Sequence, residues 1–351
     1  MKETLHVKNF GPIVDAYIEI KDINIFIGTT SSGKSTLAKL IAIFKSGDLD
    51  RPIQNSFFGE DSDQTNFIEH LASYNIEYDI HSETYIKYTI GNIFYELNGH
   101  TFNKSEDRLT WEDKVTAIYI PAERVFFPTF SQSIFSFLNN SITLPKWLID
   151  FGAKFEKART ELVRFRVDFL GANYLYTHND DYVDLDNGGS IKLSQASSGL
   201  QSVLPLMLVI ERFSKLLRTN ANLYVIEEPE LNLYPLAQKD LLEFIINNNN
   251  SSKDKLVITT HSPYLLTTMD NLIQAGNVAA IKPEIKHEIV DIVPENLWLN
   301  FDDISCYYFN NGTVVSTLDH EMKSIGPSNI DDVSEKLSAT FEQLLTLKYK
   351  D

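Results

Sequence analysis

Cysteine is almost absent: Cys306 is the only one in 351 residues. That excludes a disulfide framework and a cysteine-rich zinc site, and it fits a reducing cytosol. Basic residues are also scarce, 31 Lys and Arg against 48 Asp and Glu, for a formal charge of -17. So acidic a chain repels phosphate backbones as a whole, which excludes a non-specific nucleic-acid coat protein and leaves room only for a local basic patch. Long apolar runs are missing, the longest being of the kind Leu206 to Ile210, far short of a bilayer span. The opening residues show no apolar signal-peptide region, so a cytoplasmic protein without a membrane partner is expected. His6, His70, His81, His100, His178, His287 and His320 show no metal-ligand spacing, and Asp180, Asp181, Asp184 and Asp186 lack that of a calcium loop. Neither an internal repeat nor a sustained heptad pattern is present.

What remains is an ordinary globular composition, 43% hydrophobic and 23% charged, long enough for one large domain or two of roughly 150 residues. Strands are expected at 5–10, 13–20 and 23–27, then a helix bearing Leu37, Leu40, Ile41 and Phe44 on one face. Residues 46–70 read as loop with a possible short helix, and 74–81, 84–90 and 92–97 as an antiparallel set. Val115 to Ile120 reads as a buried strand, and 131–138 and about 146–168 as helices. The second of these carries Lys154, Lys157, Arg159, Arg164 and Arg166. Asp186-Asn187-Gly188-Gly189 marks a hairpin between 182–185 and 190–193. From Gly199 the pattern is α/β: helix to about Arg218, strand 222–227, helix 235–247, strand 255–260, helix 263–273. The asparagine run 247–250 reads as a loop. Short strands near 278–281, 287–292, 304–309 and 313–318 precede a helix over about 331–348. Cys306 sits in an apolar run and reads as a core thiol.

Gly28-Thr29-Thr30-Ser31-Ser32-Gly33-Lys34-Ser35 satisfies G-x-x-x-x-G-K-[ST] between a strand and a helix. Backbone amides of Gly28, Ser31, Ser32, Gly33, Lys34, Ser35 and Thr36 are expected to cradle phosphate at a helix N-terminus. Lys34 would bridge the β- and γ-phosphates, and the Ser35 hydroxyl would ligate Mg²⁺. Leu223 to Glu228 is an apolar strand delivering two carboxylates at its end. Glu227 is expected on the metal and Glu228 as general base. Ser197-Ser198-Gly199-Leu200-Gln201 opens a long helix, either as an ordinary serine cap or as a second anion site. Because the phosphate loop serves its own nucleotide, Ser198, Gly199 and Gln201 as an anion site would serve a nucleotide bound by a partner. His261 ends the next apolar strand, where it would sense the γ-phosphate or be merely structural.

In this order and spacing, the set Gly28–Ser35, Ser198–Gln201, Glu227–Glu228 and His261 resembles the ABC-type ATPase heads of the SMC, RecF and OLD group. Asn9-Phe10-Gly11-Pro12-Ile13 and the stretch from Glu227 to Pro235 are similar to the same group. The nearest resemblance is to small stand-alone OLD-like ATPases of bacterial defence systems of the PARIS or Septu type, without a Toprim domain. Glu227 stands where an Asp is usual, and Leu200 replaces the second signature glycine. Pro121-Ala122-Glu123-Arg124 is similar to a segment of small OLD-like ATPases, so Arg124 either faces the nucleotide or is a surface arginine.

The resemblance implies an α/β P-loop NTPase, an ABC-ATPase head with a mixed sheet, an antiparallel β-lobe and a helical insertion. Its boundaries would be one head over 1–351, with 1–48 and 190–300 as nucleotide-binding core, 49–189 as inserted lobe and 301–351 as C-terminal extension. It also implies an ATPase using ATP and Mg²⁺, with Glu228, Lys34 and His261 as catalytic residues. Two copies would close head-to-tail on ATP, each ATP between Lys34 of one and Ser198 and Gly199 of the other. A homodimer or higher homo-oligomer would then control a separately encoded effector protein. No coiled coil fits between residue 50 and the signature region, and the 90 residues after His261 carry no Toprim-like acidic arrangement. Direct DNA binding, as in a RecF-like repair ATPase, is disfavoured by charge, with the basic segment 154–166 as its one candidate surface. A nucleotide-gated scaffold with negligible turnover is the third possibility.

Overall fold

The computed structural model describes residues 2–46, 49, 63–110, 114–130, 144–216, 218, 220–326 and 331–349. Strands β1 (Glu3–Phe10), β2 (Ile13–Glu19) and β3 (Ile23–Gly28) lead into helix α1 (Lys34–Ser46). Helix α2 (Asp63–Ser73) follows, then β4 (Tyr85–Ile90), β5 (Ile93–Asn98), β6 (Thr101–Lys104) and β7 (Thr116–Ile120). Helix α3 (Lys146–Leu162) precedes β8 (Arg164–Val167), β9 (Ala172–Thr177), β10 (Asp180–Leu185) and β11 (Ser190–Lys192). Helix α4 (Ser198–Ser214), β12 (Asn222–Glu227), α5 (Pro235–Ser252), β13 (Lys255–Thr260), α6 (Pro263–Ile281) and α7 (Lys286–Ile292) continue the chain. It closes with β14 (Ile304–Asn310), β15 (Thr313–Ser316), β16 (Leu318–Asp319), β17 (Ser324–Ile325) and α8 (Asp331–Lys348).

Among the described residues one sheet has eleven strands in the order β6-β5-β4-β1-β2-β15-β14-β3-β13-β12-β7. Strands β14, β3, β13, β12 and β7 are mutually parallel. The other half is antiparallel apart from the single β15–β2 bridge. Strands buried on both faces need apolar residues at every position, and the side chains sort by the period of two. Ile25, Ile27, Tyr224, Ile226, Leu256 and Ile258 face the core under α4, α5 and α6. Phe26, Leu223, Val225 and Val257 face the opposite core under α1. A separate antiparallel sheet, β11-β10-β9-β8, contains the hairpin expected at Asp186-Asn187-Gly188-Gly189, whereas β4 and β5, expected within an antiparallel set, extend the large sheet. The α/β fold class with a mixed sheet and an antiparallel lobe stands.

Several local expectations do not. Residues 74–81 form turn and loop after α2 rather than a strand. The expected helix 131–138 lies outside the described residues. The helix expected over 146–168 stops at Leu162, where Val163 takes φ +24, and Arg164 and Arg166 stand on β8. The asparagine run is helical because tertiary hydrogen bonds absorb its amides: Asn248 Oδ1 accepts from Ser214, and Asn250 Nδ2 donates to the carbonyl of Asn296. Residues 278–281 and 286–292 are helical too, the second with only Ile289 buried, so its β-branched pattern has no sheet to join. β14 is inserted beside β3 in the middle of the sheet, and β7 pairs with β12, so both lie in its parallel half.

Candidate functional site

Open α/β sheets offer ligand sites at the carboxyl ends of their parallel strands. The register here aligns three such ends, pairing Thr260 with Ile27 and Glu227 with Thr259. From β3 the chain turns at Gly28, φ +147, where a Cβ would lie 2.0 Å from the Phe309 carbonyl oxygen. Gly33, φ +100, would place a Cβ 2.6 Å from Ile13 Cγ1. Both positions require glycine, for backbone angle and for close approach. Ser32 Oγ donates to the Thr29 carbonyl at 2.7 Å and tightens the loop from inside.

Lys34 folds across this loop, its Nζ donating to the carbonyls of Gly28 at 3.0 Å and Thr29 at 2.7 Å. Burial pulls its pKa from the usual lysine value down to about 8, against the upward pull of Glu228, Glu230 and Glu227. Ser35 is exposed at the first turn of α1, and Thr36 is buried with its hydroxyl 3.2 Å from that of Tyr78. Residues 28–36 thus form one cradle.

On the neighbouring strand ends, Glu227 is buried and its Oε1 has no hydrogen-bond partner. The Tyr119 hydroxyl, buried beside Glu227, is pushed well up by burial, then by the charge of that carboxylate and a side-chain hydrogen bond to it. Glu228 is half-exposed with φ +42, a strained angle for a side-chain-bearing residue. Its Oε1 lies 3.6 Å from His261 Nε2. The His261 amide and the Thr260 hydroxyl both donate to Glu230 Oε1, at 2.7 and 2.8 Å, and burial raises that carboxyl.

Ser198 and Gly199 form the first turn of α4, capped by Ser197, whose Oγ accepts from the Leu200 amide at 3.4 Å. Ser197 and Ser198 are exposed. A Cβ on Gly199 would come within 3.1 Å of the Asn232 carbonyl, so α4 starts against the turn that follows Pro229. Gln201 does not offer an open donor: its Nε2 donates to the carbonyls of Ser194 and Ala196 and holds the loop ahead of α4.

Arg124 neither faces the nucleotide cradle nor lies on the surface. It is 0% exposed. Its Nη1 donates to the carbonyls of Pro121 and Glu227, its Nη2 to those of Glu228 and Pro229, and its Nε to that of Ser202. Burial lowers its pKa to about 10, and Glu230, Glu228 and Glu227 counter that. A buried cation fastened to the main chain leaves no periodic trace in sequence, so only its position after a buried strand hinted at it. Tyr78 was missed too, because its segment carries a strand-like pattern. It lines a cavity of about 520 Å³ beside the loop, with Asn9, Ile13 and His81.

Among the described residues no group of three His, Cys, Asp or Glu side chains could hold a metal by itself. The Glu227 oxygen without a partner nonetheless fits a cation whose other ligands would come from Ser35, nucleotide and water. The basic segment disperses: Arg159 is buried on Asp181, and Arg166 is paired with Asp168 and Asp186.

Residues 1–106 and 127–266, well over half of the chain, match the family model described as AAA ATPase domain. Three solved structures are similar in shape. The SMC head domain from Thermotoga maritima is 13% identical, with 90% of this chain and 97% of that one covered at a TM-score of 0.41. The recombination mediator protein RecF is 9% identical, covering 90% and 98% at 0.42. The ADP conformation of an ATP-binding cassette of an ABC transporter is 13% identical, covering 92% and 93% at 0.39. No curated protein matches the chain. Among the described residues no helix is long and apolar enough to cross a membrane.

Proposed function

The chain belongs to the AAA ATPase domain family and is an ATPase, and on that premise we propose that it is an ATP-driven dimerisation switch acting on a separate effector. Lys34 and the amides of 28–36 bind the polyphosphate, and Tyr78 with its cavity receives the base. Mg²⁺, held by Ser35 and Glu227, would neutralise charge on the phosphates. Glu228 takes the proton of the attacking water, and His261, whose Nε2 lies 3.6 Å from the Glu228 carboxylate, senses the γ-phosphate.

One observation supports the dimer: the α4 N-terminus is exposed, with Ser197 and Ser198 open and Gly199 packed on Asn232, so that an anion carried by a second copy would meet the first amides of the helix. The exposed side chains of Tyr234, Leu236 and Tyr264 follow the two strand ends that carry Glu228 and His261, and would be covered by a second head. Closing on ATP and opening after hydrolysis supplies the two states a switch needs. The effector would be separately encoded, as for stand-alone ATPases of bacterial anti-phage defence. Direct DNA binding is the weaker reading: of the cations of 154–166, Arg159 is buried on Asp181 and Arg166 is paired with Asp168 and Asp186, which leaves Lys157 and Arg164 exposed on a helix and a strand.

Glu228→Gln is expected to bind ATP, form a stable dimer by mass measurement, and release phosphate at below about a hundredth of the wild-type rate. A variant that stays monomeric with ATP refutes the dimer. Steady-state phosphate release no higher than that of Lys34→Ala refutes the catalytic reading in favour of a scaffold.

A further inference from the structure

Helix α4 contains Pro205, which has no N–H for the Gln201 carbonyl and whose ring crowds the carbonyls one turn back. One of the carbonyls in that disturbed turn, Ser202, accepts from Arg124 Nε at 3.0 Å. The other face of the same guanidinium holds three consecutive carbonyls, Glu227 at 2.7 Å, Glu228 at 2.7 Å and Pro229 at 3.3 Å. Those residues form the strained turn in which Glu228 has φ +42. All donors of Arg124 thus end on main chain, and its planar fork permits little variation in their relative positions.

We propose that Arg124 is a positioning residue that couples the start of α4 to the placement of the Glu228 carboxylate. The guanidinium fixes the turn carrying Glu228 relative to Ser202, one turn into the helix whose first residues are Ser198 and Gly199. A shift of α4 when an anion engages its N-terminus therefore moves the carboxylate, and an unengaged α4 leaves it out of place. A misplacement of about 1 Å costs on the order of 100-fold in rate, so a latch of this size suffices for control. The coupling rests on the proposed role of Glu228, while the physical link between α4 and the turn does not.

The test uses the full chain and three variants: Arg124→Lys, Arg124→Ala and Pro205→Ala. Lysine keeps the charge and loses the fork. Arg124→Lys is expected to keep a cooperative thermal transition and bind a fluorescent ATP analogue within about threefold of wild type, while kcat falls roughly 10- to 100-fold. Free guanidinium at millimolar concentration should restore part of the rate of Arg124→Ala and none of Arg124→Lys. Hydrogen exchange supplies a readout without ATP: amides of 198–206 and 227–231 should exchange about tenfold faster together in Arg124→Lys, with those of α1 unchanged. Pro205→Ala, in which the helix recovers its own bond, should lower kcat in the same direction and less. Wild-type kcat in Arg124→Lys, or parallel loss of ATP binding and kcat, overturns the proposal. So does faster exchange confined to one of the two segments. If the wild type hydrolyses no ATP, the function assigned to Glu228 fails, and the exchange result alone decides the latch.

Discussion

Gly28→Ala isolates what the C-terminal strand does for the phosphate loop. The added methyl would stand 2.0 Å from the Phe309 carbonyl oxygen and 2.7 Å from its nitrogen, both backbone atoms that no rotamer change can move. The same carbonyl accepts the Thr29 amide at 3.1 Å, so relieving the clash breaks the bond that starts the loop. Three terms add. Holding alanine at φ +147 costs about 1–3 kcal/mol. Losing the Thr29 bond costs about 1 kcal/mol. Displacing β14 disturbs Phe309, whose ring is fully buried 5.2 Å from that of Phe26. A loss of roughly 3–5 kcal/mol is expected, at the upper end of single substitutions. Denaturant unfolding of the nucleotide-free protein measures it, and titration with an ATP analogue should show at least tenfold weaker binding in whatever remains folded. Since the obstacle is main chain, adding Phe309→Ala should bring no relief. A loss below about 1 kcal/mol, or rescue by Phe309→Ala, would show that β14 is not the wall behind the loop.

Lys34 gives a pH signature in the nucleotide-free protein. With its folded pKa near 8 and its unfolded value at 10.5, the unfolded chain binds more protons between those values, so stability rises with pH across that window. The rise should be about 1–2 kcal/mol after discounting for solvent at the loop mouth, and absent in Lys34→Met, as read by urea unfolding at pH 7.5 and 10. Asp181→Ala should cost about 3–5 kcal/mol by thermal melting, because it leaves the Arg159 guanidinium and the Tyr174 hydroxyl of the second lobe without their shared carboxylate. Cys306 is fully buried with its thiol pushed up to about 12, so a thiol reagent at pH 8 should label it only after unfolding. Tyr78→Ala should weaken ATP binding about tenfold with kcat little changed, as binding titration and steady-state kinetics will show.

The residues proposed to contact phosphate were legible because chemistry dictates their type and spacing. Gly28, Gly33 and Lys34 have no substitutes in a loop that must present amides and one cation, and a strand ending in Glu227-Glu228 announces itself by contrast with its apolar run. Strands 222–227 and 255–260 were readable to the residue, since a strand buried on both faces is apolar throughout. What failed was anything decided by distant partners. The asparagines of α5 are helical through bonds to Ser214 and Asn296, and β14 lies beside β3 although some 275 residues separate them. No local pattern encodes such a pairing. Arg124 shows the same limit at the site, for its five acceptors are carbonyls, which every residue has.

Three of the acidic residues, Glu227, Glu228 and Glu230, lie close to the loop proposed to bind an anion. Glu227, Glu228 and Glu230 all act on Lys34, and the same three act on Arg124, so three carboxylates face two cations before any nucleotide arrives. Arg124 spends its donors on carbonyls, so Lys34, whose Nζ rests on the loop carbonyls of Gly28 and Thr29, and the α1 N-terminus are the groups proposed to meet the phosphates. One uncompensated carboxylate acting on a phosphate charge costs roughly 1–3 kcal/mol at an effective dielectric near 20. Nucleotide binding should therefore depend steeply on a divalent cation: ATP affinity in chelator should fall about 10- to 100-fold below that with Mg²⁺. Glu227→Gln removes the carboxylate whose Oε1 is buried without a partner. In chelator this variant should bind ATP more tightly than wild type, and with Mg²⁺ less tightly, so the two affinity curves cross. Equal dependence on Mg²⁺ in both proteins would mean that Glu227 neither repels the phosphates nor holds the cation.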